Sequence, residues 1–125
     1  MPATHAGGNL YPSGAPVAGG TSVAAAGNAT SAVVTNTTAY GITITVQAIN
    51  GGTGPTVPLG VNIQVSADNT TWVLWASDQA GTVASTTYTW GYQLPPEVAY
   101  ARVYATGNTG QAVTVAAQYN QITGL

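Results

Sequence analysis

Apolar and polar residues alternate with a period of two along much of this chain. From Tyr40 to Asn50, Ile42, Ile44, Val46 and Ala48 fall on one side of an extended backbone, with Thr43, Thr45 and Gln47 on the other. That period predicts a strand with one buried face. The alternation recurs in Leu59–Ser66, where Val61, Ile63 and Val65 oppose Asn62 and Gln64, and more briefly in Ser31–Thr35. Trp72–Ala76 is a short apolar strand, and the Thr-rich Thr82–Trp90 places Tyr88 and Trp90 on one face. Turn chemistry separates these runs at Asn36-Thr37, Gly51–Pro55, Asp68-Asn69 and Asp78–Gly81, and Leu94-Pro95-Pro96 leads into the last third. There, two alternating runs flank Gly107-Asn108-Thr109-Gly110, which predicts a β-hairpin over Val98–Tyr119. Ala99, Ala101, Val103 and Ala105 share one face of its first strand, and Tyr100, Arg102 and Tyr104 the other. Ile122–Leu125 reads as a short tail. Seven or eight strands at a spacing of roughly 8–12 residues, without a helical period, predict an all-β antiparallel β-sandwich.

Residues 1–29 break the pattern. They form a low-complexity segment of Gly, Ala, Pro and Thr whose bulky apolar pair is Leu10-Tyr11. Such a segment buries too little apolar area to offset its ordering entropy by itself. The expected division is an extended N-terminal arm over 1–29, held by another chain, and a sandwich domain over 30–125. The alternative is that the arm folds back on its own domain, with a strand over Thr21–Ala26 turning at Gly27-Asn28.

Composition narrows the function. Charged residues make up 3% of the 125 residues, against roughly 25% in an ordinary soluble domain. Asp68, Asp78, Glu97 and Arg102 are the whole set. A chain this neutral tends to associate, so a homo-oligomer is expected. One arginine and a net charge of −2 leave no phosphate-neutralising patch, which argues against nucleic-acid binding. No apolar run approaches the ~18 residues that span a bilayer, so no membrane association is expected. Without cysteine there is neither a disulfide framework nor a thiol nucleophile. Met1–His5 has neither a basic nor an apolar leader region, so synthesis and assembly are expected in a cytoplasm.

The residues offer little for catalysis. A triad would need His5, the one histidine, which lies in the arm with nothing local to orient it. Asp68 and Asp78 fall in predicted turns, where Asp commonly caps its own backbone. The three acids form no calcium loop. No enzyme activity, metal or cofactor is expected. Asn28, Asn36 and Asn69 head glycosylation sequons, which carry little weight without a secretory route.

The aromatic residues are the sharper signal for binding. Trp72, Trp75, Trp90, Tyr88, Tyr92, Tyr100 and Tyr104 would suit a sugar-stacking platform if one sheet carried them. Trp72 and Trp75 lie three apart in one strand and so point to opposite faces; one is expected in the core and the other exposed or in a subunit interface. Arg102 is expected to stack on Tyr100 or Tyr104 and to pair with Glu97 or an Asp. Leu10, Tyr11, Trp75, Tyr100, Arg102 and Tyr104 are the candidate partner-binding residues.

Two resemblances extend this reading. From Tyr40 onward the strand order, the Trp72/Trp75 pair and the phrase Leu94-Pro95-Pro96-Glu97-Val98-Ala99-Tyr100 resemble immunoglobulin-like and fibronectin-type sandwiches, with Tyr100 near the tyrosine-corner position. Their disulfide pair is missing, and a jelly roll fits the strand count nearly as well. The phrase Val65-Ser66-Ala67-Asp68-Asn69-Thr70-Thr71-Trp72 is similar to hairpins of small tailed-phage structural proteins, with Asn69 where that pattern has Gly. The short, cysteine-free, β-rich chain with its Gly/Ala/Pro arm also resembles tailed-phage capsid decoration (cement) proteins. That resemblance implies a structural protein on the virion surface, with a trimer favoured, bound across subunits of the major capsid protein through its arm. A carbohydrate-binding fibre or spike module and an extracellular pilin or adhesin subunit are the alternatives.

Overall fold

The strongest alternation in the sequence becomes the central strand of one sheet. In the computed structural model, which describes residues 3–11, 20–36 and 40–124, β5 (Ile42–Asn50) buries Ile42, Ile44, Val46 and Ala48 and leaves the intervening residues more exposed. Ahead of it come β1 (Thr4–Asn9), β2 (Thr21–Val23), β3 (Asn28–Thr30) and β4 (Val34–Thr35). After it come β6 (Gly60–Ser66), β7 (Val73–Gln79), β8 (Thr87–Leu94), β9 (Tyr100–Thr106) and β10 (Val113–Gly124). All pairings are antiparallel, and they build two sheets. One runs β1-β10-β5-β8 with β2 also on β10; the other runs β3-β9-β6-β7 with β4 also on β9. The expected all-β sandwich is therefore present.

Its topology follows one rule. The chain pairs with itself as a nested ribbon: β1 and β2 with β10, β3 and β4 with β9, β5 with β8, β6 with β7. The contacts β10–β5 and β9–β6 then wrap the ribbon into two layers. Counting β1/β2 and β3/β4 as two interrupted strands, this is the eight-stranded jelly roll. Of the two topologies left open by the sequence, the strand order is that one and not the immunoglobulin order.

The predicted hairpin over Val98–Tyr119 is corrected. Both of its strands exist, but β9 and β10 lie in different sheets, and residues 107–112 carry the chain from one layer to the other. Gly107 and Gly110 have φ values of +99° and +86°, a conformation that glycine adopts without strain. Asn108 between them is fully buried; its side-chain amide nitrogen donates to Val23 O (3.0 Å) and Gln111 O (3.0 Å), while its backbone carbonyl accepts from Ala26 N (2.7 Å). The segment is thus stitched to the β2–β3 turn. Two other buried asparagines do the same elsewhere. Asn50 donates to Gly81 O and Val83 O, and Asn36 to Val98 O. Each ties the end of one strand to a loop of another part of the ribbon.

The free arm is corrected as well. Leu10 and Tyr11 are 2% and 3% exposed and belong to the core together with Val23 and Ala29. Tyr11 spans the two layers, its hydroxyl donating to Ala29 O at 3.1 Å, and burial pushes that hydroxyl's pKa up. Ladder bonds to β9 and β10, and the volume these side chains fill, outweigh the poor intrinsic order of the composition. The expected boundary at 29/30 falls inside β3. Smaller differences follow from packing: β8 runs past Gly91 to bury Leu94, and the expected tail at Ile122 is the end of β10, paired with β1.

Candidate interaction site

The outer face of the β3-β9-β6-β7 sheet carries the lone cation. Arg102 on β9 lies directly opposite Gln64 on β6, and its Nε donates to Gln64 Oε1 at 2.7 Å. Its guanidinium carbon sits 4.1 Å from the centroid of the Trp72 ring, within cation–π range. Among the described residues it forms no ion pair, so the expected stacking on Tyr100 or Tyr104 and pairing with Glu97 or an Asp are replaced. The cause is geometric: same-face neighbours on one strand are roughly 7 Å apart, whereas the cross-strand partner is about 5 Å away. Tyr100 and Tyr104 flank Arg102, half-buried.

The edge of the same sheet is different in kind. Among the described residues β7 pairs with β6 alone, and its first three side chains are apolar and exposed: Val73 57%, Leu74 63% and Trp75 46%. Ile63 pairs with Ala76 and Gln64 with Leu74, so Trp75 is the extra residue of a β-bulge. Bulges bend a strand and re-aim a side chain. Here the bulge turns Trp75 onto a cleft of about 480 Å³, whose other walls include Val65, Val73, Pro95, Glu97 and Val98. Asp68 lies on the same cleft. Its Oδ1 accepts from Thr71 N (2.8 Å), Thr70 N (2.9 Å) and Ser66 Oγ (2.9 Å), and these bonds, led by Thr71, pull its pKa down to about 2. Asn69 takes the left-handed conformation (φ +62°) that this turn needs.

The remaining sequence candidates scatter. Tyr88, Trp90 and Tyr92 alternate on the inward side of β8, packed against the core. Tyr92 donates to Asp78, and its pKa is raised by burial first and by that carboxylate second. The seven aromatic residues thus occupy three separate places and form no single-sheet stacking platform. Of the Trp72/Trp75 pair, neither is in the core: Trp72 is half-buried beneath Arg102 and Trp75 faces the cleft. His5 is exposed on β1, where it lines a depression of about 440 Å³ together with Tyr40, Gln93 and Asn120. Sequence reasoning passed over Val73 and Leu74, whose one signal was the unbroken apolar run.

The sequence matches no protein-family model and no curated protein. The fold does recur among solved structures. The chain superposes on the PBSX exported protein XepA with a TM-score of 0.61 at 12% identity over 96% of its length, spanning 37% of XepA. It is similar to a chain of Bacillus endospore appendages, described as disulfide-linked pili (TM-score 0.54, 12% identity, 100% of this chain and 93% of that one). It is also similar to part of tailspike protein 4 of bacteriophage CBA120 (TM-score 0.54, 14% identity, 81% and 15%). At such identities the likeness establishes the sandwich fold.

Proposed function

We propose that this chain is a non-catalytic attachment module of a surface assembly, in first place a virion, where it decorates the capsid by docking on the major capsid protein. The observation that carries the reading is the free edge of β7. Three consecutive apolar side chains lie exposed on a strand that, among the described residues, is paired along one side only, a feature that isolated proteins ordinarily blunt with charge and that partners cover. With 3% charged residues the surrounding surface offers little repulsion to a partner. Attachment is assigned to this edge in place of an N-terminal arm, because the described strands of residues 4–30 already pair within the sandwich. A trimer on the particle is part of the same proposal.

The test is re-occupancy of particles produced without the chain. Added back, the wild-type protein should bind and co-sediment, whereas Leu74→Ser combined with Val73→Thr should bind at least tenfold more weakly while keeping its unfolding temperature. Equal occupancy by the variant would refute the edge as the attachment surface. A second reading, a pilus-like appendage subunit, is favoured by the full-length superposition on the endospore appendage chain. With no cysteine, its subunits would join without disulfides, and filaments formed by the purified chain would support it.

A further inference from the structure

The cleft beside β7 has a chemistry that narrows its occupant. Its walls are mostly apolar, with the Trp75 ring as one side, while Glu97 and Asp68 stand on it. These are two of the three acids in the whole chain. Asp78, the third, is engaged by the Tyr92 hydroxyl. Asp68 is held ionised by the donors on its Oδ1, and Glu97 is exposed. An aromatic wall, aliphatic floor and anionic rim complement one kind of side chain: a long apolar stem ending in a cation, which buries its methylenes and lays its charge against ring and carboxylate.

We infer that the cleft receives an arginine or lysine side chain from an extended segment of a different protein, which runs along the free edge of β7. The inference rests on the attachment reading above and deepens it. Continuity argues for the extended segment: Val73 and Trp75 line the cleft and also belong to the unpaired edge, so a strand laid on β7 carries a side chain past the cleft mouth. Chain composition argues for a different protein. This sequence has no lysine, and its one arginine is committed to Trp72 and Gln64 on the outer face of the sheet. A second copy therefore has no free arginine or lysine to offer.

The experiment uses the isotope-labelled full chain and two blocked pentapeptides, Ac-Val-Thr-Arg-Thr-Val-NH2 and its norleucine counterpart. The Trp75 indole N–H resonance reports binding. The arginine peptide should shift it saturably and bind about fivefold more tightly than the norleucine peptide, the size of one exposed cation–π and ion-pair contact. Glu97→Gln should remove most of that preference, as should raising salt from 50 to 500 mM, because rim charges are screened. No saturable shift up to 10 mM peptide, or equal affinity for both peptides, would overturn the inference. Particle re-occupancy separates the two levels. If the Leu74/Val73 variant fails to bind particles while Glu97→Gln binds them as wild type at every salt concentration, the edge stands and the cationic occupant falls.

Discussion

Tyr11 decides whether the first thirty residues are an appendage or part of the fold. Its ring is 3% exposed between the layers, and its hydroxyl donates to Ala29 O. Truncating a buried aromatic residue to alanine costs about 3–5 kcal/mol through lost burial and the cavity left behind. The vanished hydroxyl bond adds about 1 kcal/mol. Tyr11→Ala should therefore cost about 5 kcal/mol, a large part of the roughly 5–15 kcal/mol that holds a domain of this size. Tyr11→Phe keeps the ring and should cost only about 1 kcal/mol. With a urea slope of about 2 kcal/mol/M, the midpoints followed by tryptophan fluorescence should fall by about 2.5 M and about 0.5 M respectively. A fall below about 0.3 M for Tyr11→Ala would refute the packing argument and restore a detachable arm. By the same logic, deleting residues 1–29 should unfold the sandwich, since it removes Leu10, Tyr11, Val23 and Ala29 from the core at once.

Two further predictions concern loops. Asn108→Ala removes the donor shared by the Val23 and Gln111 carbonyls in a fully buried site; it should cost about 2–3 kcal/mol, read as a lowered thermal midpoint. Asp68 has a folded pKa of about 2, below its unfolded value, so its stabilising contribution is complete above about pH 4 and is lost as pH falls towards 2. In Asp68→Asn the difference between urea midpoints at pH 5 and pH 2.5 should shrink; an unchanged difference would show that the Ser66–Thr71 turn does not report on folding.

How far the sequence could be read depended on whether the relevant signal was local. β5 was legible because four apolar residues alternating with three polar ones leave no other assignment, and the Asp68-Asn69 turn because its chemistry is complete within Ser66–Thr71. The pairing of β9 and β10 was not. Alternation identifies strands without naming their partners, and Gly107–Gly110 has the same composition whether it closes a hairpin or crosses between layers. What decides is Asn108, buried through contacts to residues 23 and 24, some 85 positions away. The arm was misread for a related reason: strands of three to six residues carry too little pattern, and their partners lie near the other end of the chain. At the site, Trp72–Ala76 stood out as apolar, but an unbroken apolar run reads equally as a strand covered on both faces. Only the sheet order places it at an edge.

The nested ribbon also has a kinetic consequence. Thr4 pairs with Gly124 and Asn28 with Thr106, so the outermost pair closes a loop almost as long as the chain itself and the next spans well over half of it, while β6–β7 closes the shortest. Loop-closure entropy must be met before such distant contacts stabilise anything, which places folding among the slow, millisecond-to-second β topologies. Assembly should start from the β6–β7 and β5–β8 pairs and finish with β1. During synthesis β10 leaves the ribosome after the other nine described strands, yet it is the strand that β1, β2 and β5 all require. Until it emerges, the Val73–Trp75 edge shares its exposure with several unfinished strands, and a nascent chain with so few charges to keep neighbours apart is at its most vulnerable to the wrong partner.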